Sequence, residues 1–230
     1  MARGLPHGRL GLAPVLSQES AETFIRTNTT LTTPPHVPEI RLNLADEAHH
    51  LWTRTEEELQ AIGLPPPFWA FAWAGGQGLA RYVLDHPQLV RGRSVLDFAS
   101  GSGLVAIAAA KAGAAHVLAA DTDPFAAVAA GLNAAENGIA FEFTGSDLVG
   151  ADGDWDVVLA GDVFYDRSFA TRIVPWFACL RSRAAEILIG DPGRAYLPKD
   201  RLEHLAAYQV PVSRALEDSE VKNTTFWRFA

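Results

Sequence analysis

Three short stretches concentrate side chains able to do chemistry. The first is Val95-Leu-Asp-Phe-Ala-Ser-Gly-Ser-Gly103, an apolar run that carries an acid at Asp97 and then breaks into Ala99, Ser100, Gly101 and Gly103. A strand that ends in such a turn and opens a helix lets backbone amides approach a ligand closely, at the positive end of the helix dipole. The spacing Gly101-x-Gly103-x-x-Ala106 also satisfies a dinucleotide fingerprint, so the glycines alone do not identify the ligand. Asp97 discriminates. A carboxylate inside an apolar strand is costly unless a cation meets it; an ammonium or sulfonium would do so, and a pyrophosphate would be repelled. The second stretch, Leu118-Ala-Ala-Asp121-Thr122, ends another apolar run in an acid. Asp123-Pro124 beside it already has the pattern of a helix start, which leaves Asp121 for other work. The third, Asp156-Val-Val-Leu-Ala-Gly161-Asp162-Val-Phe-Tyr165, closes on an acid and a phenol.

Regular elements must hold these residues. From Ser94 onward, strand patterns at 94–99, 115–120, 139–143, 155–160 and 186–189 alternate with helical patterns at 104–114, 123–136 and from about Asp166. That rhythm predicts a mostly parallel sheet covered on both faces. Strand-like runs at 208–214 and 224–229 have no helix between them and are expected to pair antiparallel. Residues 1–67 are irregular and rich in Pro, Thr and His; alternation at 39–44 predicts a short strand, and Thr55–Ile62 a short helix capped by Thr55. Residues 1–67 are read as an extension lying on a main domain at 68–230.

Composition narrows the class. Of 230 residues, 48% are hydrophobic and 20% charged, a globular balance. The single cysteine, Cys179, excludes an internal disulfide, and its place between Phe177 and Leu180 predicts burial in a helix. The seven histidines show no metal-ligand spacing, so no metal is expected. No apolar run approaches the ~18–20 residues of a membrane span. A net charge of -8 argues against nucleic acid as partner. Met1–Glu22 has no signal-peptide apolar core, and a cytoplasmic enzyme is expected.

The order of these features resembles the S-adenosylmethionine (SAM) motif of class I Rossmann-like methyltransferases. The resemblance implies an α/β fold with a seven-strand sheet, mostly parallel, carrying an antiparallel C-terminal strand. It implies that Asp97, Ala99, Ser100, Gly101, Gly103 and Gly161 line the SAM site, and that Asp121, with Thr122 beside it, meets the ribose hydroxyls. Asp147, in Gly145-Ser-Asp147, would meet the adenine amino group. Asn133 and Asn137-Gly138 reproduce the class's usual ending of the second helix. Asp162-Val-Phe-Tyr165 resembles the Asp-x-x-Tyr motif of the lysine methyltransferases of methyltransferase family 16. Pro67-Phe-Trp-Ala-Phe-Ala-Trp73-Ala-Gly-Gly-Gln77 is similar to a segment of the electron transfer flavoprotein β-subunit lysine methyltransferases and their bacterial relatives, in which the Trp and Gln line the SAM pocket. Two departures stand out: Ala74 replaces a Pro, and Ala99 replaces the first glycine of the turn, where Ala needs only a negative φ.

The implied activity is methyl transfer to lysine ε-amines of a protein, the flavoprotein β subunit first and a ribosomal protein second. Asp162 would receive the lysine ammonium and Tyr165 would shape an apolar slot. A small-molecule amine methyltransferase and a catalytically silent SAM-binding factor stay open as alternatives.

Overall fold

The computed structural model describes residues 18–45, 66–212 and 219–230. The helix expected at 55–62 lies outside the described residues. Strands β3 (Ser94–Phe98), β4 (His116–Ala120), β5 (Glu142–Thr144), β6 (Val157–Gly161) and β7 (Glu186–Asp191) pair in parallel. Strand β9 (Val221–Phe229) pairs antiparallel with both β7 and β8 (Leu202–Pro211), giving the order β5-β4-β3-β6-β7-β9-β8. The expected seven-strand sheet is therefore present, with β9 running against the other six.

Successive residues of a strand face opposite sides, and the central strands obey this on two cores. Val95 of β3 and Val157 and Leu159 of β6 pack with α2 (Ala74–Asp85) and α3 (Leu104–Lys111). Leu96 and Phe98 of β3 and Val158 of β6 pack with α5 (Arg167–Ser182). Helix α4 (Pro124–Glu136) begins where expected: Asp123 accepts the Phe125 amide and Pro124 occupies the first turn. The amino-terminal segment folds as α1 (Gln18–Asn28) and a hairpin of β1 (Thr30–Thr32) and β2 (Leu42–Leu44). It rests on the domain: Val37, Ile40 and Leu42 join the α2–α3 core, and Ile25 packs with Trp69 and Phe125.

Several expectations change. Strand β8 begins at Leu202 rather than 208, because a bulge between His204 and Ala206 interrupts the alternation that marks a strand. The strand expected at 39–44 shrinks to Leu42–Leu44, since Val37 and Ile40 close a turn before it. Cys179 is exposed, not buried. The buried residues of α5 are Ile173, Trp176, Phe177 and Leu180, a helical stripe that leaves position 179 on the other face.

Helix α2 reaches the sheet closely enough to exclude side chains. A Cβ on Gly190 of β7 would collide with the Gly75 carbonyl oxygen, and one on Gly161 of β6 would lie 2.9 Å from the Gly76 Cα. Overpacking at such a contact costs roughly 1–3 kcal/mol. Gly190→Ala should therefore lower unfolding free energy by about that amount in urea titrations, whereas a change within error would show that the helix can yield.

Candidate active site

The strand order reverses between β3 and β6, the position at which open α/β sheets bind ligands beyond the carboxyl ends of their strands. A cleft of about 1090 Å³ opens there. On its first wall, the turn after β3 winds through left-handed conformations, with φ of 56° at Ala99, 51° at Gly101 and 78° at Gly103. Ala99 thus departs from the negative φ its side chain prefers, a strain of about 1–2 kcal/mol that a glycine would not carry. The Gly101 amide donates to Asp121 Oδ2 at 2.9 Å, and the Asp123 amide to Asp121 Oδ1 at 3.0 Å. Asp121 therefore fastens the turn to the end of β4 while still facing the cleft.

Asp97 is 1% exposed and accepts the Ala106 amide at 2.8 Å. Burial, opposed by that hydrogen bond and reinforced by the Asp121 charge, pushes its carboxyl up to about 8. The Ser100 hydroxyl on the same wall is buried with no hydrogen-bond partner. Gly103 does not line the cleft. A Cβ there would lie 3.0 Å from the Ala130 Cβ, so this glycine serves the packing of the turn on α4. Asn133, fully buried, donates to the Ser102 carbonyl at 2.9 Å and accepts from the Asn43 amide at 2.7 Å, joining turn, helix and β2.

The second wall centres on Asp162, itself left-handed at φ 58°. Helix α2 has no side-chain cap of its own at Trp73; instead Asp162 Oδ2 accepts the Gly76 amide at 2.9 Å. Asp162 Oδ1 accepts from Arg194 Nε at 3.0 Å and Nη2 at 2.6 Å. The expected ammonium seat is thus already met by a guanidinium of this chain. Arg194 stands 5.8 Å from the Trp73 ring centre. Phe68 lies 5.9 Å from Trp73 and 5.7 Å from Tyr165, and Phe68 and Tyr165 are 42% and 53% exposed at the cleft mouth. Partial burial, with Asp166 and Asp121 nearby, raises the Tyr165 phenol above its usual range, so it stays protonated at neutral pH.

Trp73, Thr122, Asp147 and Gly161 line the cleft as placed by the sequence. Asp147 pairs with Arg172 at its rim and accepts the Val149 amide at 3.0 Å. Gln77 is the clear exception. It points away from the cleft, donating to the Ala72 carbonyl at 2.8 Å and accepting the His36 amide at 3.3 Å, because its position on α2 faces the amino-terminal segment. Sequence reasoning does not single out Phe68, Gly76 or Arg194. The signal available for Arg194 is the Asp191-Pro-Gly turn at the same carboxyl edge.

The residues present suit a cationic nucleoside cofactor: a buried carboxyl and a partnerless hydroxyl face the cleft, and among the described residues no basic group adds to the charge interactions of Asp97. With β9 inserted antiparallel, this fold and site define a SAM-dependent methyltransferase. The comparisons agree on the class and narrow it. The profile of the ribosomal protein L11 methyltransferase (PrmA) family matches residues 81–162. The electron transfer flavoprotein beta subunit lysine methyltransferase of Xenopus laevis is 40% identical over 214 residues, covering 90% of this chain and 86% of the relative. The human protein of that name is 36% identical over 216 residues, covering 90% and 81%. The chain belongs to the electron transfer flavoprotein beta subunit lysine methyltransferase family. Solved structures support the fold. Thermoplasma acidophilum 1320 superposes with a TM-score of 0.51 at 19% identity, covering 66% of this chain and 88% of that one. Magnesium protoporphyrin IX methyltransferase of Synechocystis, with bound SAH, gives 0.50 at 15%, covering 67% and 82%.

Asp97 makes the ligand-free protein sensitive to pH. Its folded pKa of about 8 lies above its ordinary value of roughly 3.9 in an unfolded chain. Its contribution to stability is therefore full below the unfolded value and lost as pH rises through about 8. Between about pH 5 and about 8, urea unfolding should show wild type losing roughly 1 kcal/mol per pH unit relative to Asp97→Asn. Parallel curves for the two proteins would refute the assignment.

Proposed function

We propose that this enzyme methylates lysine ε-amines of the electron transfer flavoprotein β subunit in the cytoplasm, the compartment its composition favours. The observation that carries the reading is the slot at the cleft mouth. Exposed Phe68 and Tyr165, with Trp73 beside Phe68, line the same cleft as Asp162. A lysine side chain suits it, with a long apolar stem to lie between rings and an amine to meet a carboxylate. The relatives named above carry the same substrate in their names, over most of their length.

SAM, when bound, supplies a methyl carbon on a sulfonium, open to in-line attack by an amine lone pair. In this reading Asp97 meets the cationic end of the cofactor, Ser100 and the Gly101 turn lie along it, and Asp121, Thr122 and Asp147 flank the nucleoside. The protein's tasks on the other side are alignment and exclusion of water, with no covalent intermediate. Asp162 accepts an N–H of the incoming amine, Tyr165 and Phe68 hold its stem, and protons leave to solvent. The L11 methyltransferase profile ends at Asp162 and so covers the cofactor half rather than the acceptor slot, which is why the flavoprotein is preferred to a ribosomal protein.

Purified enzyme, SAM and recombinant flavoprotein β subunit should give methylated lysines by peptide mass spectrometry only when all three are present. Methyl label appearing solely on small molecules of a cell extract would favour the small-amine alternative. Asp162→Asn keeps an acceptor for the Gly76 amide but leaves the Arg194 guanidinium uncompensated in the slot. It should leave SAM affinity within about threefold while kcat/KM for methylation falls roughly 100-fold or more.

A further inference from the structure

Arg194 occupies the place in which a substrate cation is expected. Its Nε and Nη2 lie 3.0 and 2.6 Å from Asp162 Oδ1, while the Gly76 amide holds Oδ2 at 2.9 Å. The turn that delivers it is built for the purpose: Asp191, fully buried, accepts the Gly193 and Arg194 amides at 2.7 Å each. The guanidinium then packs beside Trp73, at the wall of the acceptor slot. An arginine keeps its charge across the working pH range of any enzyme.

We propose that Arg194 is a positioning residue whose guanidinium, by neutralising Asp162, makes the slot admit lysine as the neutral amine rather than as the ammonium. The inference rests on the lysine reading above. A lysine reaches the enzyme as ammonium, with an ordinary pKa of roughly 10.4. A bare carboxylate at hydrogen-bond distance would stabilise that form by about 1–3 pK units and leave no lone pair to attack. With Arg194 in place the field of Asp162 is cancelled, yet Asp162 keeps acceptor capacity for an amine N–H. The balance of the step is simple. The ammonium proton passes to water before the amine docks. The nitrogen lone pair then forms the N–C bond, the sulfur keeps the electrons of the broken C–S bond as a neutral thioether, and the product alkylammonium releases a proton to water.

Among the described residues, the charged and titratable neighbours are Tyr165 and Asp166 after β6, Asp97, Asp121, Asp123 and Asp147 across the cleft, Arg172 from α5, and Asp191 behind the turn. They are common to wild type and variants, so a difference between profiles reports position 194. Saturating SAM removes the contribution of Asp97 to cofactor binding.

The test is the pH dependence of lysine methylation on the flavoprotein β subunit, from about pH 6.5 to about 10. The value of kcat/KM reports the free species and kcat the bound complex. In wild type, log kcat/KM should climb with unit slope toward the lysine pKa while kcat stays flat. In Arg194→Gln the ammonium binds, so the acid limb should move into kcat. That value should fall about 1,000-fold or more at neutral pH and climb roughly tenfold per pH unit toward pH 10, with KM losing its pH dependence. Arg194→Lys, which keeps the charge, should retain the wild-type pattern. A uniform loss in Arg194→Gln at every pH would mean a merely structural role and overturn the inference. A wild-type limb in kcat would overturn it too, and that measurement decides the matter even if Arg194→Gln no longer binds SAM. A wild-type enzyme that modifies no lysine of the flavoprotein sinks the lysine reading itself, and this inference with it; an active one lacking the predicted split sinks only the inference.

Discussion

The hydrogen bond from the Gly76 amide to Asp162 organises the acceptor half of the molecule. It joins the first turn of α2 to the end of β6 and supplies the helix with the cap its own residues lack. It is possible only because Gly75, Gly161 and Gly190 bring backbone against backbone, where any Cβ would intrude. Once α2 is seated there, Trp73 at its start faces the cleft and Phe68 is carried to the mouth beside Tyr165. The same carboxylate then receives Arg194 on its other oxygen. One acidic side chain therefore sets the position of a helix, a guanidinium and the floor of a slot.

The two halves of the cleft handle charge in opposite ways. On the cofactor side Asp97 is buried with one amide for company, and the nearby Asp121 charge adds to the cost of ionising it. Such a site gains from a cation, because an opposite charge is what restores the ionised form in a poorly solvated place. On the acceptor side the acid already has a guanidinium at hydrogen-bond distance. A sulfonium methyl donor calls for this asymmetry: a positive ligand must be held firmly in one half, and its reaction partner must carry a free lone pair in the other.

The amino-terminal segment contributes more than cover. Asn133 ties the glycine turn through the Ser102 carbonyl to Asn43 of the hairpin, so β2 and the cofactor wall share one buried polar network. Such networks are stiff when every member is satisfied, and stiffness at a turn with three left-handed residues keeps its amides aimed. Gln77 works in the same way, holding the segment to α2 by the His36 amide.

The cofactor half was legible in the sequence because its information is local. A strand, an acid, a small-residue turn and a helix follow within a dozen residues, and Asp121 with Asp123-Pro124 repeats the device on the next strand. Periodicity likewise marked the five parallel strands, though the third, expected at 139–143, forms at Glu142–Thr144, the bulge in β8 hid its first half, and the helical stripe of α5 reversed the expected burial of Cys179. The negative φ expected at Ala99 failed because the turn's path, not the side chain, sets that angle.

What the chain order alone determined, then, is the alternating α/β sheet, the glycine turn and the acids that end its strands. Only the tertiary structure decided which of those acids stands alone and which is paired. Asp162 meets Gly76 across 86 positions and Arg194 across 32, and Gln77 is turned from the cleft toward a segment 41 residues away. Those partnerships depend on strand order and on glycine-permitted contact between backbones. No pattern confined to neighbouring residues encodes a distance in space between two strand ends.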